Sequence, residues 1–227
     1  MEIITNIVEF LSKYYSYFLK GTFTTLQISF FGVIFGSLVG VLISLMRLSS
    51  KKIISRIARV YIEIVRGTPL LLQLYIVFYG LPMFIPLPES RMFLGTLAVL
   101  LNSAAYVAEI IRAGIQSIDR GQMEAARSLG MRHGVSMRYI IIPQAFKNIL
   151  PAMGNEFIVL IKESAIISTI AIPDLMYNAD TLRGITYKPF MPLVIAGVIY
   201  FIITFTLSKI LGILERRLAA SDQGSEA

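Results

Sequence analysis

The sequence predicts an all-α, polytopic membrane protein that forms a single domain over residues 1–227. Of its residues, 56% are hydrophobic and only 15% are charged, whereas about a quarter of a soluble domain is charged. The apolar residues fall into long runs, and a helix needs about 20 such residues to cross the hydrocarbon core. Without cysteine and with one histidine, the composition favours neither a disulfide framework nor a metal site.

Five apolar runs predict five transmembrane helices. They cover approximately residues 20–47, 60–86, 91–116, 139–170 and 190–216. In the first run, Gly32, Gly36 and Gly40 share one helical face, where small residues allow a neighbouring helix to approach closely. In the second, Thr68 and Pro69 have the pattern of a helix start, a hydroxyl cap followed by proline.

The distribution of Lys and Arg predicts the orientation. Fifteen of these residues lie on the side that holds the connection 117–138 and the C-terminus, and six lie on the other. The positive-inside rule therefore places the N-terminus outside and the C-terminus in the cytoplasm. Because the basic residues form short clusters between apolar runs, they favour lipid headgroups over nucleic acid as a partner, despite a net charge of +7.

The cytoplasmic connection carries a spaced pattern of residues. It reads Glu124-Ala125-Ala126, then Gly130 after three residues, Ile140 after nine more and Pro143 after another two. Residues 122–129 predict a short amphipathic helix, which Gly130 can end in the left-handed conformation. A short helix that projects into the cytoplasm is suited to docking in a groove of a soluble partner.

This pattern resembles the EAA loop of permease subunits of ABC importers. Further resemblance, to the histidine, arginine and glutamine type of polar amino acid permease, lies in residues 66–70, 104–110, 114–118, 143–146 and 162–164. Altogether it extends over about residues 15–218. The resemblance implies the type I ABC importer permease fold in the inner membrane of a bacterium, with residues 117–138 as the coupling loop. The residues implied to contact the ATPase are Glu124, Ala125, Ala126, Arg127, Leu129, Gly130, His133 and Pro143.

The resemblance also implies a set of partners. These are two ATPase subunits, a second permease copy and an extracytoplasmic amino-acid-binding protein. The chain lacks the Gly-x-x-x-x-Gly-Lys-Ser/Thr phosphate loop, so we expect ATP and Mg on the partner subunit and no enzyme activity here. A homodimer is the simpler expectation, and a related second permease is the alternative.

Polar residues at membrane depth predict the substrate site, because such residues are costly in a span. The candidates are Thr68, Gln73, Asn102, Tyr106, Glu109, Glu156, Glu163 and Ser164. The helix start at Thr68 would favour a substrate carboxylate, and Glu163 or Glu109 would hold a positive group. Acidic residues in the spans favour a basic amino acid such as arginine, lysine or histidine, moved by alternating access.

Other functions stay open at this point. Glutamine or another polar amino acid would suit the same family. An ion-coupled carrier would use Glu156 and Glu163 as ion sites, but it leaves the Glu124–Pro143 pattern unexplained. An intramembrane enzyme and a non-transporting anchor are further alternatives, although no paired-Asp, Ser/His or metal-ligand arrangement in the spans supports an enzyme.

Overall fold

The computed structural model describes residues 2–223, and the side chains of residues 5–218. The first helices are α1 (Glu2–Arg47), α2 (Lys52–Arg66), α3 (Leu70–Tyr75) and α4 (Arg91–Gln116). They are followed by α5 (Arg120–Ser128), α6 (His133–Ser136), α7 (Ile142–Glu163), α8 (Leu175–Thr186) and α9 (Met191–Gln223). Two π-helical turns, Ile76–Gly80 and Met137–Ile141, and two 3-10 segments, Leu81–Met83 and Ser164–Ile170, extend α3 and α7. The described residues contain no strand, which confirms the all-α prediction.

Helices α1, α4 and α9 are each long and apolar enough to cross a membrane. Together, α2 and the segment Leu70–Met83 would make a fourth crossing, as a broken span. The region predicted as the fourth span, about 139–170, combines a π turn, α7 and a 3-10 segment, and α7 includes Lys147, Glu156, Lys162 and Glu163. The count of five spans and the orientation of the termini therefore stay predictions.

The second predicted span is not one continuous helix. Helix α2 begins at Lys52, and its axis is bent by 109° from that of Leu70–Met83. Pro69 lacks an N–H and disfavours helical backbone in the residue before it, so the helix stops at Arg66. The predicted hydroxyl cap at Thr68 is wrong. Its Oγ1 donates to the Ile64 carbonyl at 2.8 Å, closing the end of α2, and Pro69 occupies the N-cap position of α3.

Helices α1 and α4 pack along the predicted glycine face. A Cβ at Gly32 would lie 2.7 Å from Val99 Cγ1, and one at Gly36 would lie 2.8 Å from Ser103 Cβ. At Gly40 the corresponding distance, to Val107, is also 2.8 Å. Such distances are too short for carbon atoms in contact, so the two backbones can approach this closely only because the side chains are absent.

Two apolar clusters lie at different levels of the bundle. One joins α1, α3, α4, α7 and the 3-10 segment Ser164–Ile170, with Leu74, Val99 and Leu160 fully buried. The other joins α1, α8 and α9 around Leu175 and Leu182. Helix α8 lies in the connection that the sequence predicts to be external, and Asp174 caps it by accepting the Tyr177 N–H at 2.8 Å.

Candidate functional site

Gln73 joins the helix break to the middle of α4. Its amide nitrogen donates to the carbonyls of Val65 and Thr68 at 2.7 and 2.9 Å, and its side-chain oxygen accepts from Asn102 Nδ2 at 2.9 Å. The same nitrogen lies 3.0 Å from Thr68 Oγ1. In this conformation the predicted site residues Thr68, Gln73 and Asn102 are therefore brought together, but they bind one another. Asn102 Oδ1, buried and without a protein partner in the described part of the chain, keeps an acceptor available.

A group of charged residues, separate from the contacts of Gln73, surrounds a cavity of about 600 Å³ where α1, α2 and α4 meet. The polar residues that line it are Arg47, Arg59, Glu63, Arg66, Tyr106, Glu109 and Arg112. Two of these, Tyr106 and Glu109, are predicted site residues, and they lie here rather than beside Gln73. Because Arg47 ends α1 and Arg112 lies in the last turns of α4, the cavity is on the side predicted to be cytoplasmic.

Glu109 is already paired inside this cavity. Its carboxylate accepts from Arg112 at 2.5 and 2.9 Å and lies 3.6 Å from Arg66 Nη1. The Arg66 guanidinium lies 5.4 Å from the centre of the Tyr106 ring, which the ring quadrupole favours. Four arginines against two glutamates leave the cavity positively charged. The arrangement is therefore suited to a carboxylate more than to a second cation.

The remaining predicted site residues lie on α7 and at its end. Glu156 is buried, with 8% of its surface exposed, whereas Glu163 is exposed, although the two are seven residues apart on one helix. Ser164 is fully buried and shares a hydrogen bond of 3.2 Å with Ser29 of α1. Ser164 thus contributes to the packing of α1 on α7. Of the three, Glu163 is the group that is open to a ligand.

Helix α5 confirms the short helix that the sequence predicts in the connection 117–138. It begins two residues earlier than predicted, because Asp119 Oδ1 accepts the Gly121 N–H at 2.7 Å as its N-cap. It ends in a Schellman motif, in which Met131 N–H donates to the Ala126 carbonyl at 3.1 Å and Gly130 N–H donates to the Arg127 carbonyl at 3.0 Å. Gly130 has φ +83°, the left-handed conformation that the sequence predicts for it.

The outer face of α5 is open to a partner. Ala126 is buried, whereas Glu124, Ala125 and Arg127 are exposed. Leu129, directly after the helix, has 83% of its surface exposed. A large apolar side chain at this position, next to small and charged ones, is suited to act as an anchor in a groove of another protein. His133, at the start of α6, is also exposed, and so is Pro143, in the first turn of α7.

Residues 32–220 match the protein family described as binding-protein-dependent transport system inner membrane component. The chain belongs to this family. Its overall arrangement of helices is that of type I ABC importer permeases. Family membership makes the chain a multi-pass protein of the bacterial cell membrane.

Several relatives are named as amino acid transport permeases. The arginine transport system permease protein ArtQ of Bacillus subtilis is 44% identical over 206 residues, which cover 91% of this chain and 94% of the relative. A putative glutamine transport system permease protein, GlnP of Rickettsia bellii, is 42% identical over 205 residues, covering 90% of this chain and 94% of the relative. The crystal structure of an amino acid ABC transporter with histidines aligns with a TM-score of 0.88 and 52% identity, covering 91% and 96% of the two chains.

These likenesses make the chain the permease subunit of an ABC importer for amino acids. As such it works with ATPase subunits and a permease partner. The relatives are named for both arginine and glutamine.

Sequence reasoning missed several residues that line the charged cavity or hold the surrounding helices in place. Arg47 and Arg59 line the charged cavity, although in the sequence they contribute only to the count that sets orientation. Ser29 pairs with Ser164 from 135 residues away. An Asp two residues before a Gly was an available signal for the cap at Asp119. No local pattern indicates the Ser29 contact.

Proposed function

We propose that this permease moves basic amino acids, arginine, lysine or histidine, into the cytoplasm by alternating access. The observation that carries the proposal is the carboxylate of Glu163, which is exposed at the end of α7 and makes no ion pair among the described side chains. The neighbouring Lys162 offsets part of this charge, but an acid at membrane depth without an ion-pair partner is costly unless a cation binds to it for part of the cycle. Glu156, about two helical turns away, adds a second negative group on the same helix.

The relatives support this choice without deciding it. One of them is an arginine permease at 44% identity, and a solved amino acid ABC transporter with histidines is 52% identical. Glutamine is the second candidate, because a putative glutamine permease is 42% identical over a similar length. The neutral side chain of glutamine would need hydrogen bonds instead of a carboxylate partner, and Asn102 Oδ1 is an available acceptor.

The charged cavity is suited to receive the amino acid before its release into the cytoplasm. Once the amino acid has left Glu163, its α-carboxylate needs a positively charged partner on the cytoplasmic side. Arg59 lines the cavity and makes no ion pair among the described side chains, so it can supply one. Tyr106 and Glu109 belong to this lower part of the route. The network of Thr68, Gln73 and Asn102 would line the route between Glu163 and the cavity, and Ser164 would support the end of α7 through its contact with Ser29.

We further propose the arrangement of the complete importer. Five spans would leave the N-terminus outside and the C-terminus in the cytoplasm, and two permease copies would bind two ATPase subunits, which hold ATP and Mg. A binding protein would deliver the amino acid to the outer ends of the bundle, near residues 86–91 and 173–189. Helix α8 gives the second of these regions a defined surface.

Helix α5 is proposed as the coupling element. Its predicted contact residues Glu124, Ala125, Arg127 and Leu129 lie on or next to its exposed face. Ala126 and Gly130 shape the helix instead, since one packs inward and the other ends it. His133 and Pro143 follow in the two helical segments that return to the bundle. ATP-driven closure of the ATPases would push α5 and change the side on which the site is open.

Uptake into vesicles that contain the assembled importer and its binding protein tests the substrate. Basic amino acids should be taken up in an ATP-dependent way, and Glu163→Gln should lower arginine uptake by about tenfold or more, since a hydrogen bond to a charged group contributes about 1.5–3 kcal/mol. Glu215→Gln, an exposed position near the end of α9, is the control and should leave uptake unchanged. Equal arginine uptake by Glu163→Gln and the parent would exclude Glu163 as the cation site. Saturable uptake of glutamine but not arginine would favour the second candidate.

A further inference from the structure

Helix α2 carries an apolar stripe that the rest of the chain leaves uncovered. Ile53, Ile57, Val60 and Ile64 recur at helical spacing, and between 47% and 77% of each side chain is exposed. The opposite apolar face is buried, with Ala58 and Ile62 packed against α1 and α4. The stripe is therefore turned away from the bundle.

The direction of α2 differs from that of a spanning helix. Its axis is bent by 109° from Leu70–Met83, and that segment runs along α4, where Gln73 meets Asn102 and Val77 joins the core. If α4 crosses the bilayer, α2 lies close to the membrane plane. Its last residue, Arg66, pairs with Glu109 near the end of α4 that is predicted to be cytoplasmic. The helix thus lies at the level of the inner leaflet.

Basic side chains flank the stripe. Lys51, Lys52, Arg56 and Arg59 are all exposed, and none of them makes an ion pair among the described side chains. Lys52 and Arg56 are one turn apart, and with Ile53, Ile57 and Val60 they line a groove of about 540 Å³ that belongs to α2 alone. One groove thus has an apolar floor and two cations at its edge.

We propose that α2 is an interfacial helix that binds an anionic phospholipid of the cytoplasmic leaflet. The acyl chains would lie along the stripe, and the phosphate would lie between Lys52 and Arg56. An amphipathic helix with Lys and Arg beside an exposed apolar face binds at the boundary between headgroups and acyl chains. Each basic residue near an anionic surface contributes about 1 kcal/mol to such binding.

A second permease copy is a poorer occupant of the groove. In a two-fold symmetric contact the same patch of both chains meets itself. In a contact centred on this groove, Lys52 and Arg56 of one copy would lie near the same cations of the other, and like charges close together across an interface are unfavourable. An anionic lipid supplies the opposite charge and the apolar surface together.

The absence of cysteine allows a clean local probe. Ile57→Cys, labelled with an environment-sensitive fluorophore in the assembled importer, is placed in vesicles that contain brominated phosphatidylglycerol or brominated phosphatidylcholine. Both brominated lipids should quench the label, and brominated phosphatidylglycerol should do so at a lower mole fraction of the vesicle lipid. A label that neither lipid quenches would overturn the proposal, and self-quenching between the two labels would identify the second copy as the occupant.

Charge removal tests the headgroup contact. Lys52→Gln combined with Arg56→Gln should weaken the preference for phosphatidylglycerol at position 57 by about fivefold for each charge, the equivalent of about 1 kcal/mol. The control pair, Lys13→Gln with Lys20→Gln, changes two exposed cations of α1 on the side predicted to be external. It should leave the preference at position 57 intact. An unchanged preference in the α2 variant, with the melting temperature of the complex retained, would refute the assignment to an anionic lipid.

Discussion

Asn102 Nδ2 donates a hydrogen bond of 2.9 Å to Gln73 Oε1, and this contact connects the break between α2 and α3 to the middle of α4. Gln73 uses its other end to hold the carbonyls of Val65 and Thr68, which the break leaves without helical partners. In an apolar environment an unpaired carbonyl is costly. The pair therefore stabilises an interruption of the helix that the membrane would otherwise disfavour.

Replacing Gln73 should destabilise the permease. Gln73→Leu removes the donor to two backbone carbonyls and the acceptor of Asn102, so we expect the free energy of unfolding to fall by about 1–3 kcal/mol. Thermal unfolding of the purified complex measures the change. In a double-mutant cycle with Asn102→Leu, the two losses should be strongly non-additive, because one contact is shared. Additive losses would show that the two side chains act independently. Leu72→Met, on the exposed side of the same helix, is the control and should be neutral.

The close approach of α1 and α4 predicts opposite effects at two glycines. Gly36→Ala would place a methyl group 2.8 Å from Ser103 Cβ and 3.2 Å from the Leu100 carbonyl, so the helices must separate, at a cost of about 1–3 kcal/mol. Among the described residues, a Cβ at Gly197 in α9 would meet no atom within 4 Å beyond its own stretch of helix. Gly197→Ala should therefore be neutral or stabilising, since alanine favours a helix by up to about 1 kcal/mol. The melting temperatures of both variants, measured side by side, test the packing. Equal effects would contradict it.

Two neighbouring alanines of α5 should separate folding from coupling. Ala126 is 1% exposed, so Ala126→Leu should overpack the helix against the bundle and cost about 1–3 kcal/mol of stability. Ala125 is exposed, so Ala125→Leu should leave the melting temperature of the permease unchanged but hinder the approach of the ATPase. Co-purification of the ATPase subunits and substrate-stimulated ATP hydrolysis are the readouts. Normal coupling in Ala125→Leu would place the docking surface elsewhere.

Asp174 predicts a dependence of stability on pH. Burial raises the pKa of its carboxyl to about 6, although the Tyr177 N–H that it accepts acts in the opposite direction. The ordinary pKa of aspartate is about 3.9, so between about pH 4 and 6 the folded protein keeps a proton that the unfolded chain releases. The free energy of unfolding should therefore fall as the pH rises through this window.

Asp174→Asn isolates this contribution. Asparagine is an equally good N-cap, so the helix start of α8 is kept while the titration is removed. Relative to the parent, the variant should gain up to about 2–3 kcal/mol between pH 4 and pH 7. Melting temperatures across that range give the difference. Asp174→Ala, which also loses the cap, should be less stable than Asp174→Asn at every pH, and parallel pH profiles for parent and Asp174→Asn would contradict the assignment.

Local signals were sufficient for part of the fold and of the site. Gly130 indicates the end of α5 because a left-handed residue is needed there, and the Gly32–Gly40 spacing indicates the face on which α1 packs. Thr68 and Pro69 indicated the position of the break between α2 and α3 but suggested the wrong hydrogen bond. The Thr68 hydroxyl donates to the carbonyl of Ile64, which precedes it in the chain, and not to the helix that follows. Whether a hydroxyl caps the following helix or closes the preceding one depends on the angle between the two, and that angle is a tertiary property.

The sequence by itself determined that this chain is helical, apolar enough for a membrane and equipped with a short helix, in the connection 117–138, that Gly130 terminates. These properties follow from composition and from spacing along one element. Only the tertiary structure decided which polar residues are still free, because pairing depends on neighbours far apart in the chain. It assigned Gln73 to Asn102, Glu109 to Arg66 and Arg112, and Ser164 to Ser29, and it left Glu163 open to solvent or substrate.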